Sequence, residues 1–220
     1  MAAVALLLAS CDRRSDEPAR AAVRQPAPET SPGPDRSHEK KIVAFGDSLT
    51  AGYGIGLDEA YPAVLQSILD QEDYPYEVVN AGVSGDTSAG GVRRLDWVLQ
   101  DRNCEVLILA LGANDGLRGL PPSEMKKNLA AMIEASQKAG ARVLLVGTRM
   151  PPNYGPEYTQ AYEAVFADLA KAHKVALAAD LTAGIGERLE LFLPDRVHPN
   201  ESAQPTLLDN VWKALRPLLK

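Results

Sequence analysis

Five stretches of the chain are apolar at almost every position, and each closes on a small or turn-forming residue. Ile42-Val43-Ala44-Phe45 ends at Gly46, and Tyr76-Glu77-Val78-Val79 ends at Asn80-Ala81-Gly82. Val106-Leu107-Ile108-Leu109-Ala110-Leu111 ends at Gly112, Val143-Leu144-Leu145-Val146 at Gly147, and Val175-Ala176-Leu177-Ala178 near Asp180. A strand with one wet face alternates apolar and polar residues. These runs do not, as expected of parallel strands covered on both faces. Between them, residues 58–71, 88–100, 123–139, 157–173 and 203–219 carry apolar residues at three- and four-residue spacing, the mark of amphipathic helices. Pro121-Pro122-Ser123 reads as a helix entry and Gly140 as an exit. Strands alternating with helices predict a five-stranded parallel sheet with right-handed crossovers inside a three-layer α/β/α domain.

The pattern is absent before Ile42. Residues 12–41 show no apolar period and hold Pro18, Pro26, Pro28, Pro32 and Pro34. Such a segment buries too little surface to offset its ordering entropy, so residues 12–40 are expected to be a disordered tether, with a mean reach of roughly 30 Å. Met1 to Ser10 is almost wholly apolar and closes on Leu8-Ala9-Ser10-Cys11. That ending has a secretory signature and resembles the bacterial lipobox, in which the Cys carries the lipid. No Lys or Arg precedes the apolar run, which departs from that pattern. The plan expected is a signal peptide and lipobox over residues 1–11, lipidation at Cys11, a tether, and a folded domain over residues 41–220. It implies export to the periplasm and a membrane anchor. Asp12 after the Cys resembles an inner-membrane retention signal.

Composition narrows the partners. The formal net charge is -6 with no basic patch, so no nucleic-acid partner is expected. Two cysteines are too few for a disulfide scaffold, and Cys104 reads as a small residue opening a strand. Three histidines and no Cys/His spacing suited to zinc lead us to expect no metal and no cofactor. A monomer acting on a small-molecule substrate is expected.

Open α/β sheets bind ligands at the carboxyl ends of their strands. Those ends here read Gly46-Asp47-Ser48-Leu49, Gly82, and Gly112-Ala113-Asn114-Asp115. Alone, a Gly-Asp-Ser turn is most simply a helix cap. A serine nucleophile needs a base, and Asp195-Arg196-Val197-His198-Pro199-Asn200 offers one. A carboxylate three residues before a histidine can meet its ring across a tight turn, fix its tautomer and stabilise the imidazolium. His38 lies in the tether and His173 at a helix end between Lys171 and Lys174, so His198 is the credible base. An oxyanion hole could take the side-chain amide of Asn114 and the backbone N–H groups of Gly82 and Ser48.

These blocks resemble the GDSL, or SGNH, hydrolase family, with its Ser, Gly, Asn and His in order. The resemblance covers residues 41–219 and is closest to the bacterial multifunctional acyl-CoA thioesterase I/arylesterase/lysophospholipase group. The residues that carry it are Asn80 to Ser88, Asn114 to Gly119, Pro151 to Gly155, and His198-Pro199-Asn200-x-x-Ala203-Gln204-Pro205. It implies a flavodoxin-like sheet order 2-1-3-4-5 and hydrolysis of an acyl ester or thioester by Ser48, His198 and Asp195. Arg196 stands where that group usually has Gly. Leu117, Met150 and Pro151 could line a substrate groove beside Ser48. The alternatives are a lipid-anchored, flavodoxin-like binding module without catalysis and a carbohydrate acetylesterase of the same family.

Overall fold

The computed structural model describes residues 40–100 and 103–220. Cys11, the segment 1–11 and residues 12–39 lie outside the described residues. Strands β1 (Lys40–Gly46), β2 (Tyr76–Asn80), β3 (Cys104–Ala110), β4 (Arg142–Val146) and β5 (Ala176–Ala178) form one sheet in the order β2-β1-β3-β4-β5. Every pairing is parallel, as expected.

The continuous apolar runs have a direct cause, since neighbouring residues of one strand enter two different cores. Val43, Phe45, Leu107, Leu109, Val143 and Leu145 pack with α3 (Ser88–Leu99), α5 (Pro122–Lys138) and α6 (Pro156–His173). Ile42, Val106, Ile108, Leu144 and Val146 pack on the other face with α2 (Tyr61–Gln71) and α7 (Gln204–Leu215). The result is the three-layer α/β/α sandwich. Register sets up the site: Gly46 pairs with Ala110, so the chain leaves β1 and β3 side by side.

Prolines explain where helix boundaries depart from expectation. Residues 58–60 form turns, and α2 begins at Tyr61 with Pro62 in its first turn, where a missing N–H is harmless. At the other end α7 stops at Leu215 and tightens into a 3₁₀ turn over Arg216–Leu218. Pro217 has no N–H with which to continue an α-helix.

Candidate active site

Ser48 stands on a tight exit from β1. A Cβ on Gly46 would lie 2.1 Å from Thr50 Oγ1 and 2.9 Å from the Ala110 carbonyl oxygen, so only glycine fits. The chain then forms α1 (Ser48–Ala51), a one-turn helix. Asp47 caps it, its Oδ1 accepting the Leu49 N–H at 3.1 Å. Ser48 is only 7% exposed. The buried Thr50 hydroxyl shares a hydrogen bond of 3.1 Å with Tyr61, locking α1 to α2.

Asp195 and His198 lie on a surface loop that is tied to itself. Asp195 Oδ1 accepts the N–H groups of Val197 and His198 at 2.9 and 3.0 Å. Its Oδ2 meets His198 Nδ1 at 2.7 Å. The other ring nitrogen, Nε2, lies 3.0 Å from Ser48 Oγ. A proton on Nδ1, facing Asp195, would leave Nε2 unprotonated on the side of Ser48. The His198 N–H, then the His198 ring, then the Val197 N–H draw the Asp195 carboxyl down to a pKa of about 2. Arg196 has φ +57°, a left-handed conformation that glycine adopts without strain and arginine does not. That explains why glycine suits this position in the group the chain resembles. Gln204 fastens the loop from beneath: its Oε1 accepts the Tyr61 N–H at 3.0 Å, and its Nε2 donates to the Asn200 carbonyl at 3.2 Å.

Asn114 stands in the short helix α4 (Ala113–Leu117), which Gly112 opens at φ +123°. Its Nδ2 is 3.5 Å from Asp47 Oδ2. The next residue, Asp115, is buried and accepts the Ser88 N–H at 2.8 Å and the Ser88 hydroxyl at 2.5 Å, fixing α4 to the start of α3. Burial lifts the Asp47 carboxyl to a pKa of about 6, against the lowering pull of the Leu49 N–H and His198.

Gly82 does not meet expectation as an oxyanion donor. Its N–H donates to Asn80 Oδ1 at 3.0 Å. It is glycine for a steric reason, because a Cβ there would lie 2.3 Å from the Ala51 nitrogen. Gly85, further along the same loop at φ +78°, has no hydrogen bond to its N–H among the described residues. Its carbonyl accepts Arg118 Nη2 at 2.8 Å, which ties it to the residue following α4.

The sequence of residues 44–204 matches the GDSL-like Lipase/Acylhydrolase family. The chain belongs to that family. It is 43% identical to esterase TesA of Pseudomonas aeruginosa over 178 residues, which is 81% of this chain and 89% of the relative. It is 36% identical over 178 residues to thioesterase 1/protease 1/lysophospholipase L1 of Escherichia coli, covering 81% of this chain and 84% of that protein. The crystal structure of TesA superposes with a TM-score of 0.80 at 42% identity, over 82% of this chain and all of that one. The chain is thus an enzyme, a carboxylic ester or thioester hydrolase of the GDSL family, and a non-catalytic binding module is not favoured.

Several residues shape this GDSL site through contacts that the sequence does not show. Arg94, on α3, donates through Nε to Asp86 at 2.7 Å, through Nη1 to the Ala81 carbonyl at 2.8 Å and through Nη2 to the Gly46 carbonyl at 2.9 Å. One guanidinium thereby holds the ends of β1 and β2 together. Tyr154 donates its hydroxyl to the Leu117 carbonyl at 2.9 Å, steadying the segment after Asn114. Of the three expected groove residues, Met150 and Pro151 line a cavity of about 790 Å³ at the ends of β4 and β5. Met150 is only 7% exposed and also joins the core, its Sδ occupying the space a side chain on Gly116 would need. Leu117 is 43% exposed and does not line that cavity.

Proposed function

We propose that this hydrolase cleaves acyl esters or thioesters through Ser48, His198 and Asp195. One observation carries the reading: an unbroken line of hydrogen bonds, 2.7 Å from Asp195 to His198 and 3.0 Å from His198 to Ser48. Ser48 Oγ attacks the acyl carbonyl as His198 Nε2 takes its proton, and Asp195 stabilises the imidazolium formed. The oxyanion is met by the Asn114 amide and the Ser48 N–H, with Gly85 supplying the second backbone N–H in place of Gly82. His198 then returns the proton to the leaving alcohol or thiol, and water releases the acyl group by the reverse sequence. The substrates named for the relatives, thioesters and lysophospholipids among them, fit this chemistry. Ser48→Ala should lower ester turnover by on the order of a millionfold with folding intact, and a fluorophosphonate should label wild type at Ser48. A Ser48→Ala protein that keeps a tenth of its activity overturns the assignment.

We also propose that residues 1–11 form a signal peptide and lipobox, that Cys11 is lipidated, and that the segment expected as a tether, up to the start of β1 at Lys40, links the domain to a periplasmic membrane surface. The support is Leu8-Ala9-Ser10-Cys11 followed by a polar, proline-rich segment. Wild type should fractionate with membranes and Cys11→Ser with the soluble fraction. Equal release of both contradicts the anchor.

A further inference from the structure

The imidazole of His198 has a second neighbour. The Tyr53 ring lies over it with centroids 4.4 Å apart and planes tilted by 38°. Tyr53 follows α1 directly, and its N–H donates to the Ser48 carbonyl at 3.1 Å, so the ring is carried by the nucleophile's own backbone. Its segment also rests on the loop that bears the base. A Cβ on Gly54 would lie 2.5 Å from Leu193 Cδ1, and the Leu193 N–H donates to the His198 carbonyl at 2.8 Å. Tyr53 is 51% exposed, so its contact with His198 lies at the surface of the site.

We propose that Tyr53 is a positioning residue for the general base. Resting on the proposed Ser48–His198–Asp195 mechanism, the assignment gives the ring two tasks. It limits the imidazole to the plane in which Nε2 faces Ser48 Oγ while Nδ1 faces Asp195. It also presents its π face to the imidazolium that exists only while the proton is on His198. A cation over an aromatic face is attracted by the ring quadrupole, so the interaction strengthens between ground state and transition state and acts on turnover rather than binding. The hydroxyl has no part in either task, so phenylalanine should serve as well as tyrosine.

The test uses the full chain and p-nitrophenyl esters, with Tyr53→Phe, Tyr53→Leu and Ser48→Ala side by side. Tyr53→Phe should keep kcat within about twofold, whereas Tyr53→Leu, which covers the imidazole without a π face, should lose roughly two- to fivefold in kcat with KM unchanged. A second measurement needs no activity. NMR should show the His198 ring protons shifted upfield by the neighbouring ring in wild type and Tyr53→Phe, and released in Tyr53→Leu. Wild-type kcat in Tyr53→Leu, a loss confined to KM, or ring-proton shifts identical in all variants overturns the proposal while leaving the triad standing, provided Ser48→Ala is inactive. Activity retained in Ser48→Ala removes the mechanism on which it rests.

Discussion

The two halves of the site are built in opposite ways. Ser48 and Asn114 rise from the ends of adjacent central strands, and the groups around them are core groups: Thr50 bonded to Tyr61, Asp115 bonded to Ser88, and Arg94 clamped on two strand ends. Asp195 and His198 come from a surface loop whose shape depends on its own carboxylate accepting two backbone N–H groups, on an isolated bridge between Phe192 and Pro199, and on Gln204 below. The wall is set by packing and the loop by hydrogen bonds. A close-packed interior holds groups tightly in place, which suits the proposed oxyanion donors and attacking oxygen. A base must accept a proton and hand it on, and the loop lets it do so without disturbing the wall.

The contrast can be broken from either side, and the loop side gives the larger effect. In Asp195→Asn the side-chain oxygen can still accept the Val197 and His198 N–H groups, so the loop keeps its shape. The amide cannot accept the Nδ1 proton, the imidazole takes the wrong tautomer, and kcat should fall by about ten-thousandfold. On the wall side, Asn114→Ala removes one oxyanion donor and should lower kcat by about a hundred- to a thousandfold with KM little changed. Slow fluorophosphonate labelling should persist in Asn114→Ala and largely disappear in Asp195→Asn. Equal loss of labelling in both variants contradicts the division of labour, and so does a fall in thermal stability alone for Asn114→Ala.

Sheet, layers and the Asp195–His198 pair were legible in the sequence because each rests on a local pattern, whereas the meeting of His198 with Ser48, 150 residues away, was read from the shortage of other histidines and from the order of the blocks. Buried parallel strands leave continuous apolar runs, and an Asp three residues before a His closes on itself. Other features depend on residues far apart in the chain. Whether the Gly82 N–H is free depends on where the Asn80 side chain turns, and it turns to accept that N–H. Met150 reads as a pocket residue, but that it also enters the core depends on Gly116, on another element, leaving it room. Arg94, Tyr53 and Gln204 look like ordinary surface or helix residues in sequence, since the carbonyls and rings they meet come from other elements.

The burial of Asp47 also makes the fold exchange protons with solvent. Its carboxyl is raised from the ordinary 3.8 to about 6 by burial, so the folded chain holds this proton more tightly than the unfolded chain does. Folding therefore takes up a proton between about pH 4 and 6. The stability this provides is fully present below pH 3.8 and is lost as pH rises through 6. Its size is about 3 kcal/mol. Asp195, lowered from 3.8 to about 2, acts oppositely: its contribution is present above 3.8 and is lost as pH falls through 2. Asp47→Asn keeps a capping oxygen for the Leu49 N–H and removes the buried charge. The urea midpoint of wild type should therefore fall between pH 4.5 and 7 by more than that of Asp47→Asn, and parallel declines would refute the assignment. At neutral pH the cap of the nucleophile's helix is an anion in a place the fold would rather keep neutral. Acidification through pH 6 should accordingly leave the chain harder to unfold while protonating the group that faces Asn114.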